Sequence, residues 1–340
     1  MTRGRSVIVT GGASGLGKIM SAYFAARGDA VTILDINATD GAAVAAELSA
    51  ADGNPDRQVD NAQEGGNSSG GGGDGGDGGG GGGGWGEVKF EKCDVTSWTE
   101  QKKAFKAVYE RVGRVDVVVA NAGVSEGGGR SWVLPARGLD PLDEPEEPRL
   151  KVLDVNLLGV VYSVKLALHY MQRNAPDATT GSRGSIICTA SNVGLYPFSP
   201  APLYAASKHA VVGLVRSLGP IYRLPHIGIR INALAPAVLE SNISGVDGLF
   251  KNMIVTPPST LIAGVEKLLS DTSLNGQVAE IHGQSVTLRP PHEVVDEDSR
   301  YNLEEFARFG YGQEGSKLER VGESVDVTQW TKTDECVRND

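Results

Sequence analysis

The chain is short of cysteine, histidine and aromatic residues: its 340 residues hold three cysteines, five histidines and 6% Phe, Trp and Tyr. Cys93, Cys188 and Cys336 lie far apart at no metal spacing. That excludes a disulfide framework and fits a reducing compartment. Cys93 and Cys188 fall at or beside expected strands and read as buried thiols. His169, His209, His226, His282 and His292 form no pair at ligand spacing, so no metal is expected. Basic charge is also scarce. A net charge of -10 argues against a nucleic-acid partner. No apolar run approaches the ~18 residues of a membrane span. The apolar run inside M-T-R-G-R-S-V-I-V-T is too short for a secretory signal. The expectation is a soluble, cytoplasmic protein with no membrane and no nucleic-acid role.

What is present is a regular alternation of short apolar runs with helical patterns, which indicates an α/β fold built as one doubly wound parallel sheet. Strands are expected at Ser6 to Thr10, Ala30 to Asp35, Val88 to Cys93, Val115 to Ala120, Gly184 to Thr189, Ile227 to Ala233 and Gln277 to His282. Helices are expected at Leu16 to Arg27, Gly41 to Ala50, Trp98 to Val112, Leu150 to Gln172, Leu203 to Tyr222 and Ser259 to Ser270. Residues 1–292 then form one domain and 293–340 a charged extension with a short helix at Asn302 to Phe309. Gly65 to Gly86 is almost pure glycine, which loses much entropy on ordering and offers no apolar surface, so it reads as a disordered insertion. Glu126 to Pro148 is a loop rich in proline, glycine and acids, just past a strand's carboxyl end. Ligands bind at such ends, so either a substrate rim or a plain surface loop is open.

The first strand runs into Gly11, Ser14, Gly15, Leu16 and Gly17, spaced G-x-x-x-G-x-G, and then into a helix. Such a turn lets backbone approach a pyrophosphate at the helix N-terminus. Asp35 closes the second strand. A carboxylate there accepts bonds from ribose hydroxyls and repels a 2′-phosphate, which favours NAD over NADP. Asp94 and Val95 after the third strand, and Asn121, Ala122 and Gly123 after the fourth, are further cofactor candidates.

Ser191 is followed thirteen residues later by Tyr204, and Lys208 lies four beyond that. Tyr204 and Lys208 share one helix face. The ammonium, together with the positive nicotinamide of the oxidised cofactor, is expected to lower the phenol's pKa so that Tyr204 acts as general acid/base. Ser191 would hold the reacting oxygen. Asn156, a poor helix former in V-N-L-L-G, would anchor a water with its side-chain amide.

On these residues, and on Y-A-A-S-K-H-A-V-V-G-L, the chain resembles the short-chain dehydrogenase/reductase family. Its later part, L-L-S-D-T-S-L-N-G-Q-V-A-E-I, is similar to the NAD-dependent 15-hydroxyprostaglandin dehydrogenase and fungal 5′-hydroxyaverantin dehydrogenase groups. The resemblance implies a Rossmann fold, a tetrad of Asn156, Ser191, Tyr204 and Lys208, and nucleotide contacts from Tyr204, Lys208, Pro236, Val238, Leu239 and Ser241. It also implies a homodimer or homotetramer through the helices at Leu150 to Gln172 and Leu203 to Tyr222. Two departures stand out: the family's usual Pro-Gly is Pro236-Ala237, and Asn242 to Pro258 is short for a substrate lid.

Of Val193, Leu195, Tyr196, Pro197, Phe198, Pro200 and Leu203, several are expected to line the substrate side and the others to pack the loop. The reading is hydride transfer between NAD and an apolar secondary alcohol or ketone. An NADPH-dependent ketoreductase and a catalytically silent NAD-binding regulatory protein stay open beside it.

Overall fold

Every residue of Ser6–Thr10 (β1) is buried, as a β-branched run covered on both faces should be. The structure is a computed structural model and describes residues 4–50, 86–126, 144, 147–222, 224, 226–239 and 249–312. After β1 come α1 (Gly15–Ala26), β2 (Ala30–Asp35), α2 (Ala38–Ala50), β3 (Val88–Lys92), α3 (Trp98–Val112) and β4 (Val117–Ala120). Then follow α4 (Lys151–Leu153), a π turn (Asp154–Leu158), α5 (Gly159–Met171), β5 (Gly184–Thr189) and α6 (Pro202–Tyr222). The last elements are β6 (Ile229–Pro236), α7 (Pro258–Ser270), β7 (Val278–His282), β8 (Ser285–Leu288) and α8 (Glu297–Gly312).

The strands form one sheet in the order β3-β2-β1-β4-β5-β6-β7-β8. β1 to β7 pair in parallel, and β8 returns antiparallel to β7. One core layer packs α3, α5 and α6 on the sheet through Phe105, Met171 and Val215. The other packs α1, α2 and α7 through Phe24, Leu48 and Leu261. Strand order reverses between β1 and β4, which opens a crevice at their carboxyl ends, where such sheets bind ligands.

The expected α/β sheet is therefore present, with differences. β8 was not anticipated, because its S-V-T-L alternates exposed and half-buried and resembles a loop. β6 runs to Pro236, three residues closer to the crevice than expected. α8 is longer than the expected helix at Asn302 to Phe309. The run Lys151–Met171 is long and apolar enough to cross a membrane, with a mean hydropathy of 1.4, contrary to the sequence expectation. Half of that stretch is buried inside the molecule, where α5 packs on α3 and the sheet. Residues 65–85 of the glycine tract, 127–143 of the acidic loop, Cys336 and the extension beyond 312 lie outside the described residues.

Candidate active site

The turn after β1 is cut for close approach. Gly11 has φ +63°, and a Cβ there would stand 2.7 Å from the Ala122 Cα. At Gly17 a Cβ would stand 2.0 Å from the Gly11 carbonyl oxygen. Neither position tolerates a side chain without moving backbone. The Thr10 hydroxyl accepts from the amides of Asn121 at 2.9 Å and Ala122 at 3.1 Å, tying the β1 turn to the β4 turn. Asn121 completes the tie by donating Nδ2 to the carbonyls of Thr10 and Gly11 at 3.1 and 3.3 Å. Ser14 is exposed and its hydroxyl caps nothing, so the first amides of α1 have no side-chain acceptor from it. Open N–H groups at a helix start, over a floor only glycine allows, fit a pyrophosphate.

Asp35 sits at the rim of this turn. Its Oδ2 accepts from the Ala13 amide at 3.1 Å and its Oδ1 from the Asn37 amide at 3.0 Å. Backbone donors thus fix the carboxylate and leave lone pairs for ribose hydroxyls. Asp94 is partly committed, since its Oδ1 holds the Thr96 amide and hydroxyl at 2.9 and 2.8 Å. The side chains of Val95 and Leu239 are buried in packing, so only their backbone can meet a ligand. Leu16 likewise packs against the core layer of α1. Val238 is spanned by strand-like bonding, its carbonyl accepting from the Thr256 amide at 2.7 Å. Ser241 lies outside the described residues.

Lys208 is 2% exposed, on α6. Its Nζ donates to the Thr189 carbonyl at 2.8 Å and lies 5.6 Å from the centroid of the Tyr204 ring. Thr189 also donates its hydroxyl to Asn121 Oδ1 at 3.1 Å, so the lysine anchor is continuous with the nucleotide turn. A Cβ on Gly123 would stand 3.5 Å from Lys208 Nζ. Burial pulls the ammonium down from 10.5 to about 8. Ser191, at the end of β5, donates to the Pro236 carbonyl at 3.3 Å. Gly194 lets the turn after Ser191 lie on α6, where a Cβ would meet the Lys208 carbonyl at 2.7 Å. Tyr204, Lys208, Ser191 and the glycine turn are thus brought to one place.

The geometry sharpens three expectations. Within the protein alone the Tyr204 phenol is pushed up, because burial disfavours phenolate. Lys208 is no counterweight to that burial, since its ammonium donates to the Thr189 carbonyl and lies beneath the ring. Only the Ser191 side chain, close enough to hydrogen-bond the phenol, acts downward. Second, Asn156 does not offer a free amide. It is fully buried in the π turn, with Oδ1 accepting from the Val124 amide at 2.8 Å. Its Nδ2 donates to the Val124 carbonyl at 2.9 Å and to Ser207 Oγ at 3.2 Å. Its side chain clamps the segment after β4, with both Nδ2 protons and one Oδ1 lone pair committed to protein. Third, two of the apolar residues between Ser191 and Tyr204 fall to the packing side. Leu195 packs on the core, and the Tyr196 hydroxyl donates to Glu280 at 3.0 Å with Arg289 over its ring.

One site residue was missed. Glu126 Oε1 accepts from the Tyr204 amide at 2.7 Å. The available signal was a helix start, S-P-A-P-L-Y, with Ala201 at the capping position. Cys93 and Cys188 are buried free thiols, both raised to about 12 by burial. Among the described residues no group of three or more His, Cys, Asp or Glu could hold a metal.

The family model described as short chain dehydrogenase matches residues 5–60 and 85–248. The chain belongs to the short-chain dehydrogenase family. It is 33% identical over 296 residues to the 5′-hydroxyaverantin dehydrogenase of Dothistroma septosporum, covering 84% of this chain and 85% of that protein. It is 27% identical over 296 residues to the NAD(+) 15-hydroxyprostaglandin dehydrogenase of Homo sapiens, covering 82% and 91%. Both groups are those that the later sequence resembles. Among solved structures, a 3-ketoacyl-(acyl-carrier-protein) reductase from Brucella melitensis complexed with NADH superposes with a TM-score of 0.62. At 20% identity, covering 83% of this chain and 98% of that one, it establishes the Rossmann-like fold alone. This short-chain dehydrogenase is accordingly an oxidoreductase with a nicotinamide-binding fold.

Proposed function

We propose that this enzyme is an NAD-dependent dehydrogenase of apolar secondary alcohols, working as a homodimer or homotetramer in the cytoplasm from one domain over residues 1–292. The observation that carries it is the position of Tyr204: flanked by Ser191, above Lys208, and tied through Thr189 and Asn121 to the glycine turn. Asp35, fixed by backbone amides at the rim, supports NAD, because a 2′-phosphate would meet its charge. The exposed Phe198, with Pro197 and Pro200, gives the rim beyond Ser191 an apolar character.

Bound against Gly11, Gly15 and Gly17, NAD would supply the hydride acceptor and, in its positive ring, the charge that brings the phenol down. Ser191 orients the alcohol oxygen towards Tyr204. Tyr204 takes the hydroxyl proton as the carbon loses hydride, and returns it in the reverse direction. Lys208, held by Thr189, keeps positive charge beneath the ring that becomes phenolate. Asn156 holds Val124, and so the floor beside Gly123, at fixed distance from Lys208.

The test is a panel of 2-octanol, 1-phenylethanol, prostaglandin-type and polyketide alcohols with NAD or NADP, read by growth of reduced-nucleotide absorbance. Turnover preferring NAD supports the proposal. Reduction of the matching ketones by NADPH in preference to NADH, read by loss of that absorbance, would replace it by the ketoreductase reading, and tight NAD binding without turnover by the silent one.

A further inference from the structure

α6 begins at Pro202, so Tyr204 is the third residue of the helix. The amide at that position has no partner inside its own helix and is ordinarily satisfied by the side chain of the capping residue. Here the residue before Pro202 is Ala201, whose carbonyl receives the Ala205 amide but whose methyl can accept nothing. The acceptor comes instead from 78 residues upstream: Glu126 Oε1, at 2.7 Å from the Tyr204 nitrogen. Its second oxygen, Oε2, is buried and has no hydrogen-bond partner. A buried carboxylate oxygen is costly to leave unpaired, so the bond to the Tyr204 amide is the contact that holds this side chain here.

Glu126 is also held in place from behind. It follows Val124, whose amide and carbonyl are both clamped by Asn156. Asn156 in turn donates to Ser207, and Ser207 donates to the Tyr204 carbonyl at 2.7 Å. Tyr204 is therefore gripped at its amide by Glu126 and at its carbonyl by Ser207, and both grips lead to the segment after β4.

We infer that Glu126 is a positioning residue for Tyr204, capping the catalytic helix from another strand end so that the phenol stays in line with Ser191 and the nicotinamide. This rests on Tyr204 being the general acid/base. Its consequence is specific to geometry at the reacting centre. Loss of the cap should disturb the chemical step and leave in place the nucleotide binding anchored at the glycine turn and Asp35.

The experiment compares Glu126→Gln and Glu126→Ala in the full chain. It measures kcat and KM on the most active alcohol of the panel, NAD affinity by fluorescence, and amide hydrogen exchange of the peptide covering 202–208. Glu126→Ala should lower kcat tenfold or more with NAD affinity changed less than twofold, and should speed exchange at Tyr204 at least tenfold. Glu126→Gln, whose amide oxygen accepts the same N–H, should stay within threefold of wild type in all of these. An Ala variant with wild-type kcat, a Gln variant as impaired as Ala, or an Ala variant losing NAD affinity in proportion to kcat would each overturn the inference. Faster exchange in the Ala variant together with an active Tyr204→Phe enzyme would instead leave the cap standing and remove the catalytic reading.

Discussion

The ammonium of Lys208 binds the carbonyl of Thr189 at 2.8 Å while lying 5.6 Å from the ring centroid of Tyr204. The lysine is thus a buried cation fixed by β5 under an aromatic face, and its reach to the phenolic oxygen is indirect. Its anchor requires a slender, single-headed donor. A guanidinium is planar and larger, and this pocket leaves Lys208 only 2% exposed. Lys208→Arg should therefore cut kcat/KM by at least a hundredfold despite keeping the charge, as steady-state kinetics would show.

The same burial gives a pH signature in stability. Lys208 titrates near 8 in the folded state against 10.5 unfolded. Below pH 8 both states hold the proton and the desolvation cost is felt in full. From about 8 to 10.5 the unfolded state binds more protons, so stability contributed through this group rises with pH, by about 3 kcal/mol. Lys208→Met lacks that rise. Urea unfolding of both proteins across this range should show wild type gaining on the variant, and parallel curves would refute the assignment.

Tyr204 behaves in the opposite sense. Burial raises its phenol, so in the protein without nucleotide Tyr204 should ionise only above the ordinary tyrosine range, judged by ultraviolet titration against Tyr204→Phe. With saturating NAD, kcat for alcohol oxidation should rise with pH through an apparent pKa well below that range. Tyr204→Phe should lose at least a thousandfold in kcat with NAD affinity within about threefold.

Asp35 sets the nucleotide choice through charge. In Asp35→Asn the backbone amides of Ala13 and Asn37 still find an acceptor, while the repulsion of a 2′-phosphate is gone. The ratio of kcat/KM for NAD over NADP should fall at least tenfold, measured on one alcohol with both nucleotides.

Asn156 carries three hydrogen bonds at zero exposure. Asn156→Ala leaves the Val124 amide and carbonyl unpaired and should cost about 2–4 kcal/mol in urea unfolding. Asn156→Asp should be no milder, since a carboxylate cannot donate to the Val124 carbonyl.

What could be read from sequence was what is local. Tyr204 and Lys208 meet because they are one helical turn apart, and Gly11 and Gly17 announce a turn that no Cβ could enter. β1 and α3 end where their apolar and polar patterns end. What escaped depends on tertiary contacts. Glu126 serves Tyr204 across 78 residues, a pairing that no spacing encodes. The π turn around Asn156 has no composition of its own, so an asparagine that clamps Val124 looked like a free amide on a regular helix. The burial that raises the Tyr204 phenol in the protein without nucleotide, and the turning of Lys208 towards Thr189, are set by the fold alone.

β8 has a consequence for how molecules can meet. By folding back on β7 it occupies the seam at which a second molecule could stitch its own strand onto the long parallel array. What is left along that border is four residues, Ser285–Leu288, alternately wet and half-covered, too brief a hem to sustain intermolecular zippering. Self-association along that border would therefore have to rely on side-chain surfaces, and the protein carries its own guard against fibre-like growth there.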